Sequence, residues 1–109
     1  MSELDKLAQY LESNGYNFKR EDTFASEDLK QWFGYRDGFG DRHQIIVYGK
    51  DGRIAWDAIY HWGSYGYEKG LLEIMGEIVD TQRSGGDTVE GWMTAQDIIK
   101  RLETMKGAK

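Results

Sequence analysis

Two β-prone runs, His43-Gln44-Ile45-Ile46-Val47-Tyr48 and Arg53-Ile54-Ala55-Trp56-Asp57-Ala58-Ile59-Tyr60-His61, flank the turn Gly49-Lys50-Asp51-Gly52. β-Branched and aromatic side chains suit extended backbone, and Asp-Gly suits a tight reversal, so an antiparallel hairpin is predicted over about 43–61. Successive strand residues point to opposite faces. Ile54, Trp56, Ala58 and Tyr60 therefore share one side, and a loop of even length sets Ile45 and Val47 beside them. That side is the expected core face. The other holds Gln44, Ile46, Tyr48, Ala55, Asp57, Ile59 and His61.

Around this hairpin the apolar spacing changes period. Leu4, Leu7, Ala8 and Leu11 recur at i, i+3, i+4, i+7, with Ser2 as N-cap and Asn14-Gly15 as a stop, which predicts a helix over about 3–13. Tyr16-Asn17-Phe18-Lys19-Arg20 alternates and predicts a short strand. Residues 21–42 form a long excursion whose middle, Ser26 to Phe33, has the pattern of a short capped helix. Leu71, Ile74, Met75 and Ile78 fall at helical spacing, and Leu71-Leu72 and Ile78-Val79 break alternation, so a helix is expected near 71–81. Gly76 counts against it, by about 1 kcal/mol relative to alanine. Thr94-Ala95-Gln96-Asp97 resembles a capping box opening a helix over about 95–105, buried through Ile98, Ile99 and Leu102. The expected class is α+β, a small antiparallel sheet with helices on one face, in a single domain spanning 1–109.

Composition bounds the function. With 109 residues and an aromatic fraction of 14%, there is enough large apolar surface for one core. Absence of cysteine removes disulfides, thiolate metal sites and cysteine nucleophiles, and suits a reducing compartment, so a cytoplasmic location is expected. No leader and no run of about 18 apolar residues is visible, so membrane insertion is not expected. Formal charge is −5, and residues 68–97 hold seven acids against two bases. An acidic chain is poorly suited to nucleic-acid phosphates and better suited to a protein with a basic surface.

Catalytic patterns are missing. His43 and His61 have opposite parity in the hairpin and are expected on opposite faces; Asp57 and His61 share a face but lie about 13 Å apart along a strand. The glycines at 38, 40, 63, 66 and 70 do not have phosphate-loop spacing. Glu68, Glu73, Glu77 and Asp80 are expected along one solvated helix edge. No catalytic residue, metal ligand or cofactor is assigned.

Aromatic placement is the unabsorbed feature. Trp32, Phe33, Tyr35 and Phe39 crowd one loop, and Trp62, Tyr65 and Tyr67 crowd another beside Glu68, Glu73 and Glu77. Closing the ends of a small core would account for such rings; so would a recognition surface, because Tyr and Trp carry much interface energy. These ten residues are the candidate partner-binding set.

The stretches HQIIVYGKDGRIAWDA (43–58), GSYGYEKGLLEIMG (63–76) and VEGWMTAQDIIKRL (89–102) resemble small uncharacterised proteins of phages and mobile elements of gut-type Gram-positive bacteria. The resemblance implies a setting, the cytoplasm of a bacterial host, in which compact acidic proteins block host machinery, as anti-CRISPR and other anti-defence proteins do. The leading expectation is thus a non-enzymatic interaction protein, extending to an inhibitor of a host factor. The alternatives are a small-ligand or enzymatic pocket beside His61, Tyr65, Tyr67 and Glu68, and a homodimeric module using Ile46, Tyr48 and Ile59.

Overall fold

The predicted hairpin forms the second and third strands of a five-stranded antiparallel sheet. The computed structural model describes residues 2–23, 42–61, 64–80 and 89–107. In chain order the elements are α1 (Glu3–Ser13), β1 (Phe18–Thr23), β2 (Arg42–Tyr48), β3 (Ile54–His61), a 3-10 turn (Tyr67–Lys69), β4 (Leu72–Gly76), β5 (Val89–Met93) and α2 (Ala95–Gly107). Strand order follows the sequence, β1-β2-β3-β4-β5, so each sheet neighbour is the next of the described strands. The helix expected from Ser26 to Phe33 lies outside the described residues.

Among the described residues, both helices start on reciprocal caps. Asp5 donates its amide to Ser2 Oγ at 3.1 Å while Ser2 donates its own to the Asp5 carboxylate at 3.2 Å. Thr94 and Asp97 repeat the arrangement at 3.0 Å in each direction, as the spacing predicted. Leu4, Leu7 and Leu11 of α1 and Ala95, Ile98 and Leu102 of α2 are buried against Ile45, Val47, Trp56, Ala58, Leu72 and Ile74 of the sheet. The helices therefore share one sheet face, and the core lies between.

The hairpin turn differs in detail. Five residues, 49–53, separate Tyr48 from Ile54, yet Val47 pairs with Trp56 and Ile45 with Ala58. The register shift between Val47 and Tyr48 leaves Ala55 as an extra residue, and this bulge restores the parity that an odd loop would reverse. Trp56 and Ala58 reach the core, as expected, and Tyr60 is half-buried. Ile54 does not: it precedes the bulge, at the hairpin end, and is 63% exposed.

Residues 71–81 do not form the expected helix. Leu72–Gly76 is β4, paired with β3 through Ala58–Ile74 and Trp56–Gly76. Leu72 and Ile74 alternate into the core, and Ile78 reaches it only after the chain turns at Gly76, where φ is +114°. A β-carbon there would lie 2.6 Å from Ala55 O and Trp56 Cα. The helical spacing of Leu71, Ile74, Met75 and Ile78 was thus a strand plus a turn, and Met75 is exposed rather than buried. β5, which the sequence did not signal, pairs with β4, and the first strand runs later than expected, from Phe18 rather than Tyr16. Among the described residues, no helix is long and apolar enough to cross a membrane.

Candidate functional site

The segment linking β3 to β4 is held by short-range bonds. Ser64, buried, donates its hydroxyl to His61 O at 2.7 Å and accepts the His61 amide at 3.2 Å. Gly66 and Gly70, with φ of +96° and +73°, bracket the turn Tyr67–Lys69, and Leu71 returns its amide to Gly66 O at 2.9 Å. Positive φ at both ends is why glycine occupies them.

This segment packs on an irregularity in β5. Leu72 pairs with Met93 and Ile74 with Glu90, so Gly91 and Trp92 together oppose Glu73. Trp92 takes φ of +54°, the one non-glycine positive φ among the described residues. Left-handed backbone costs an ordinary residue about 1–2 kcal/mol and persists only where its surroundings enforce it. Here the surroundings are close: a β-carbon on Gly66 would stand 3.0 Å from Trp92 N and Cα, and one on Gly91 would stand 2.3 Å from Tyr65 Cβ. Tyr65 donates its amide to Glu73 Oε1 at 3.1 Å, and Trp92 donates a long hydrogen bond to Tyr65 O at 3.4 Å.

The result is a stacked aromatic pair. The Tyr65 and Trp92 rings lie 5.2 Å apart at 24°, yet the two residues are 52% and 58% exposed. Met75, also exposed, shares with Glu73 the side of β4 opposite Leu72 and Ile74. Exposed Glu68 and Glu77 flank β4 on the turns before and after it.

Of the candidate residues, the fold brings together Tyr65 and Glu73. Tyr67 is directed elsewhere: half-buried, it packs on Tyr60 with ring centroids 4.7 Å apart. Glu68, Glu73 and Glu77 sit on a turn, a strand and a turn, so the single helix edge expected for them does not exist. Trp32, Phe33, Tyr35, Phe39 and Trp62 lie outside the described residues. Trp92 escaped the sequence reading because β5 itself did; the pair Gly91-Trp92, one small and one large residue at a strand end, was its only signal.

Histidine geometry follows the strand register. His43 pairs with Tyr60 and lies on the core-face parity, whereas His61 pairs with Arg42 on the other. Asp57 accepts from Gln44 Nε2 at 2.8 Å. His43 Nδ1 meets Asp22 Oδ1 at 2.7 Å, and Asp22 Oδ2 accepts from Arg20 Nε at 3.1 Å. These partners, His43 first, hold the Asp22 carboxyl below the usual carboxylate range. Among the described residues, no group of three or more His, Cys, Asp or Glu side chains is placed to hold a metal ion.

No protein-family model, curated protein or solved structure matches the chain.

Proposed function

We propose that this chain is a non-enzymatic interaction protein that binds a protein partner with a basic surface through the Tyr65–Trp92 pair. One observation carries the reading: two large rings are held in a fixed, half-exposed stack by a left-handed tryptophan and two glycines that tolerate no side chain. A ring pair placed in advance loses little conformational freedom on binding, which is what an interface anchor requires. Glu73 at the pair and exposed Glu68 and Glu77 nearby favour a cationic counterpart, in line with a net charge of −5. The finer reading, which rests on the sequence resemblance alone, is that the partner is a bacterial host factor whose activity is blocked. The dimer reading has less support, because Ile46, Tyr48 and Ile59 are already half-buried within the chain.

The test compares wild type with Trp92→Ala and Tyr65→Ala as purified, tagged baits in bacterial host extract, at low and high salt. Wild type is expected to retain a stoichiometric basic protein that is lost with either variant and weakened by salt. Identical recovery by wild type and both variants, or no stoichiometric protein with wild type, would overturn the proposal.

A further inference from the structure

A cleft of 540 Å³ opens where the start of α1 meets Arg20, His43 and Tyr60, on three neighbouring strands, and the turn Lys69-Gly70-Leu71. Small-ligand sites span roughly 300–1,000 Å³. This cleft lies on the helix-covered side of the sheet, the side away from His61, and so is not the pocket anticipated beside that residue.

Its lining is part apolar and part charged. Half-buried Leu71 supplies aliphatic surface over the buried Leu4 and Leu72, and Tyr60 supplies a ring held between His43 at 6.2 Å and Tyr67 at 4.7 Å. One edge is an ionic chain: Asp5 Oδ1 accepts from Arg20 Nη1 at 2.7 Å, and Asp22 joins Arg20 to His43. Side chains tied at both ends hold their positions, so the edge is formed before any ligand arrives.

Charge decides the ligand class. Both carboxylates among the described lining residues are engaged: Glu3 accepts from Lys6 Nζ at 2.9 Å and from the Ala95 amide at 2.8 Å, and Asp5 accepts from Arg20 and the Ser2 amide. The start of α1 is capped by Ser2 and Asp5, and that of α2 by Thr94 and Asp97. Lys69 is different. It is exposed on the rim and has no ion-pair partner among the described residues, in a chain that is otherwise acidic.

We infer that this cleft binds a small organic monoanion with an apolar body, its carboxylate meeting Lys69 and its apolar part resting on Tyr60 and Leu71. The inference is independent of the aromatic pair, which lies at β5 and concerns a protein partner.

Titration of the full chain, followed by backbone amide shifts in two-dimensional NMR, tests it with three probes: 3-phenylpropionate, its neutral amide and 2-phenylethylammonium. The carboxylate is expected to give saturable shifts at Tyr60, Leu71 and Leu72, and the other two to bind at least about tenfold more weakly, the amide because it carries no charge and the ammonium because Lys69 repels it. Lys69→Gln, at an exposed position that should fold normally, is expected to weaken the carboxylate about tenfold, and Lys69→Arg to preserve it. Equal binding of the amide, preference for the ammonium, shifts confined to other surfaces, or no saturable shift would each overturn the inference. So would unchanged affinity in Lys69→Gln.

Discussion

Gly91 lies so close beneath Tyr65 that a β-carbon on it would stand 2.3 Å from Tyr65 Cβ. Tyr65 lies between β3 and β4 and Gly91 within β5, 26 positions apart in the chain. Their fit sets the height of the ring pair above the sheet, and Gly66 against Trp92 repeats the constraint from the other side.

Gly91→Ala is therefore expected to destabilise the fold by about 1–3 kcal/mol, as overpacking does in a site that cannot expand. Urea unfolding gives the energy, and near-ultraviolet circular dichroism reports the loss of the Tyr65–Trp92 stack. An alanine variant with unchanged stability and an unchanged aromatic signal would show that the segment is not closely seated.

Trp92→Gly separates binding from folding. Glycine relieves the left-handed backbone, about 1–2 kcal/mol, against a lost ring contact of roughly 0.5–1.5 kcal/mol and greater freedom of the unfolded chain. Stability should change by less than about 1 kcal/mol on this balance, while capture of the partner is lost. Retained capture would remove Trp92 from the proposed surface.

Gly76→Ala tests the strand directly, because the sign of its effect depends on the local fold. In a helix alanine would stabilise by about 1 kcal/mol. At the observed φ of +114°, with backbone atoms 2.6 Å from the added carbon, it is expected to destabilise by more than about 2 kcal/mol. A rise in melting temperature would contradict β4.

Arg101 of α2 and Glu90 of β5 form a two-bond ion pair at 2.7 and 2.9 Å, largely shielded from solvent, and Arg101 also donates to Ile78 O at 2.9 Å. Arg101→Met leaves a shielded carboxylate without this partner and should cost about 2–4 kcal/mol, whereas Arg101→Met with Glu90→Gln should recover part of that loss. A coupling energy below about 0.5 kcal/mol in the double-mutant cycle would mean that solvent screens the pair.

Acid should weaken the sheet edge where α1 meets β1. Lys6 and the Ala95 amide hold the Glu3 carboxyl below its usual range, Arg20 does so for Asp5, and His43 and then Arg20 for Asp22. These folded-state values are depressed, so their stabilisation is fully present above the ordinary values of 4.5 for Glu and 3.8 for Asp. It is lost as pH falls through the lower, folded values. Unfolding free energy measured from pH 7 downward is expected to fall below about pH 4, and less steeply in Asp5→Asn. The effect is modest, because Asp5 and Asp22 are partly exposed and solvent screens them. A flat profile down to pH 3 would refute the linkage.

Local pattern alone determined α1, α2 and the central hairpin. Leu4, Leu7 and Leu11 repeat at helical spacing, Ser2 and Thr94 cap the two helices, and the alternation from Ile45 to Val47 and from Trp56 to Ala58 defines a face. Each signal rests on interactions within a few residues, which is why it survives in the folded chain. Residues 71–81 were decided otherwise, since four apolar residues at helical spacing also fit a strand and a turn in succession. Only the approach of Gly76 to the Ala55–Trp56 backbone and the pairing of Ile74 with Ala58 select the strand. The candidate site shows the same division: aromatic richness around Tyr65 was legible, but the choice of Tyr65 over Tyr67, and the entry of Trp92, required contacts between segments distant in sequence. Composition supplied the rings, and tertiary packing decided which of them face solvent.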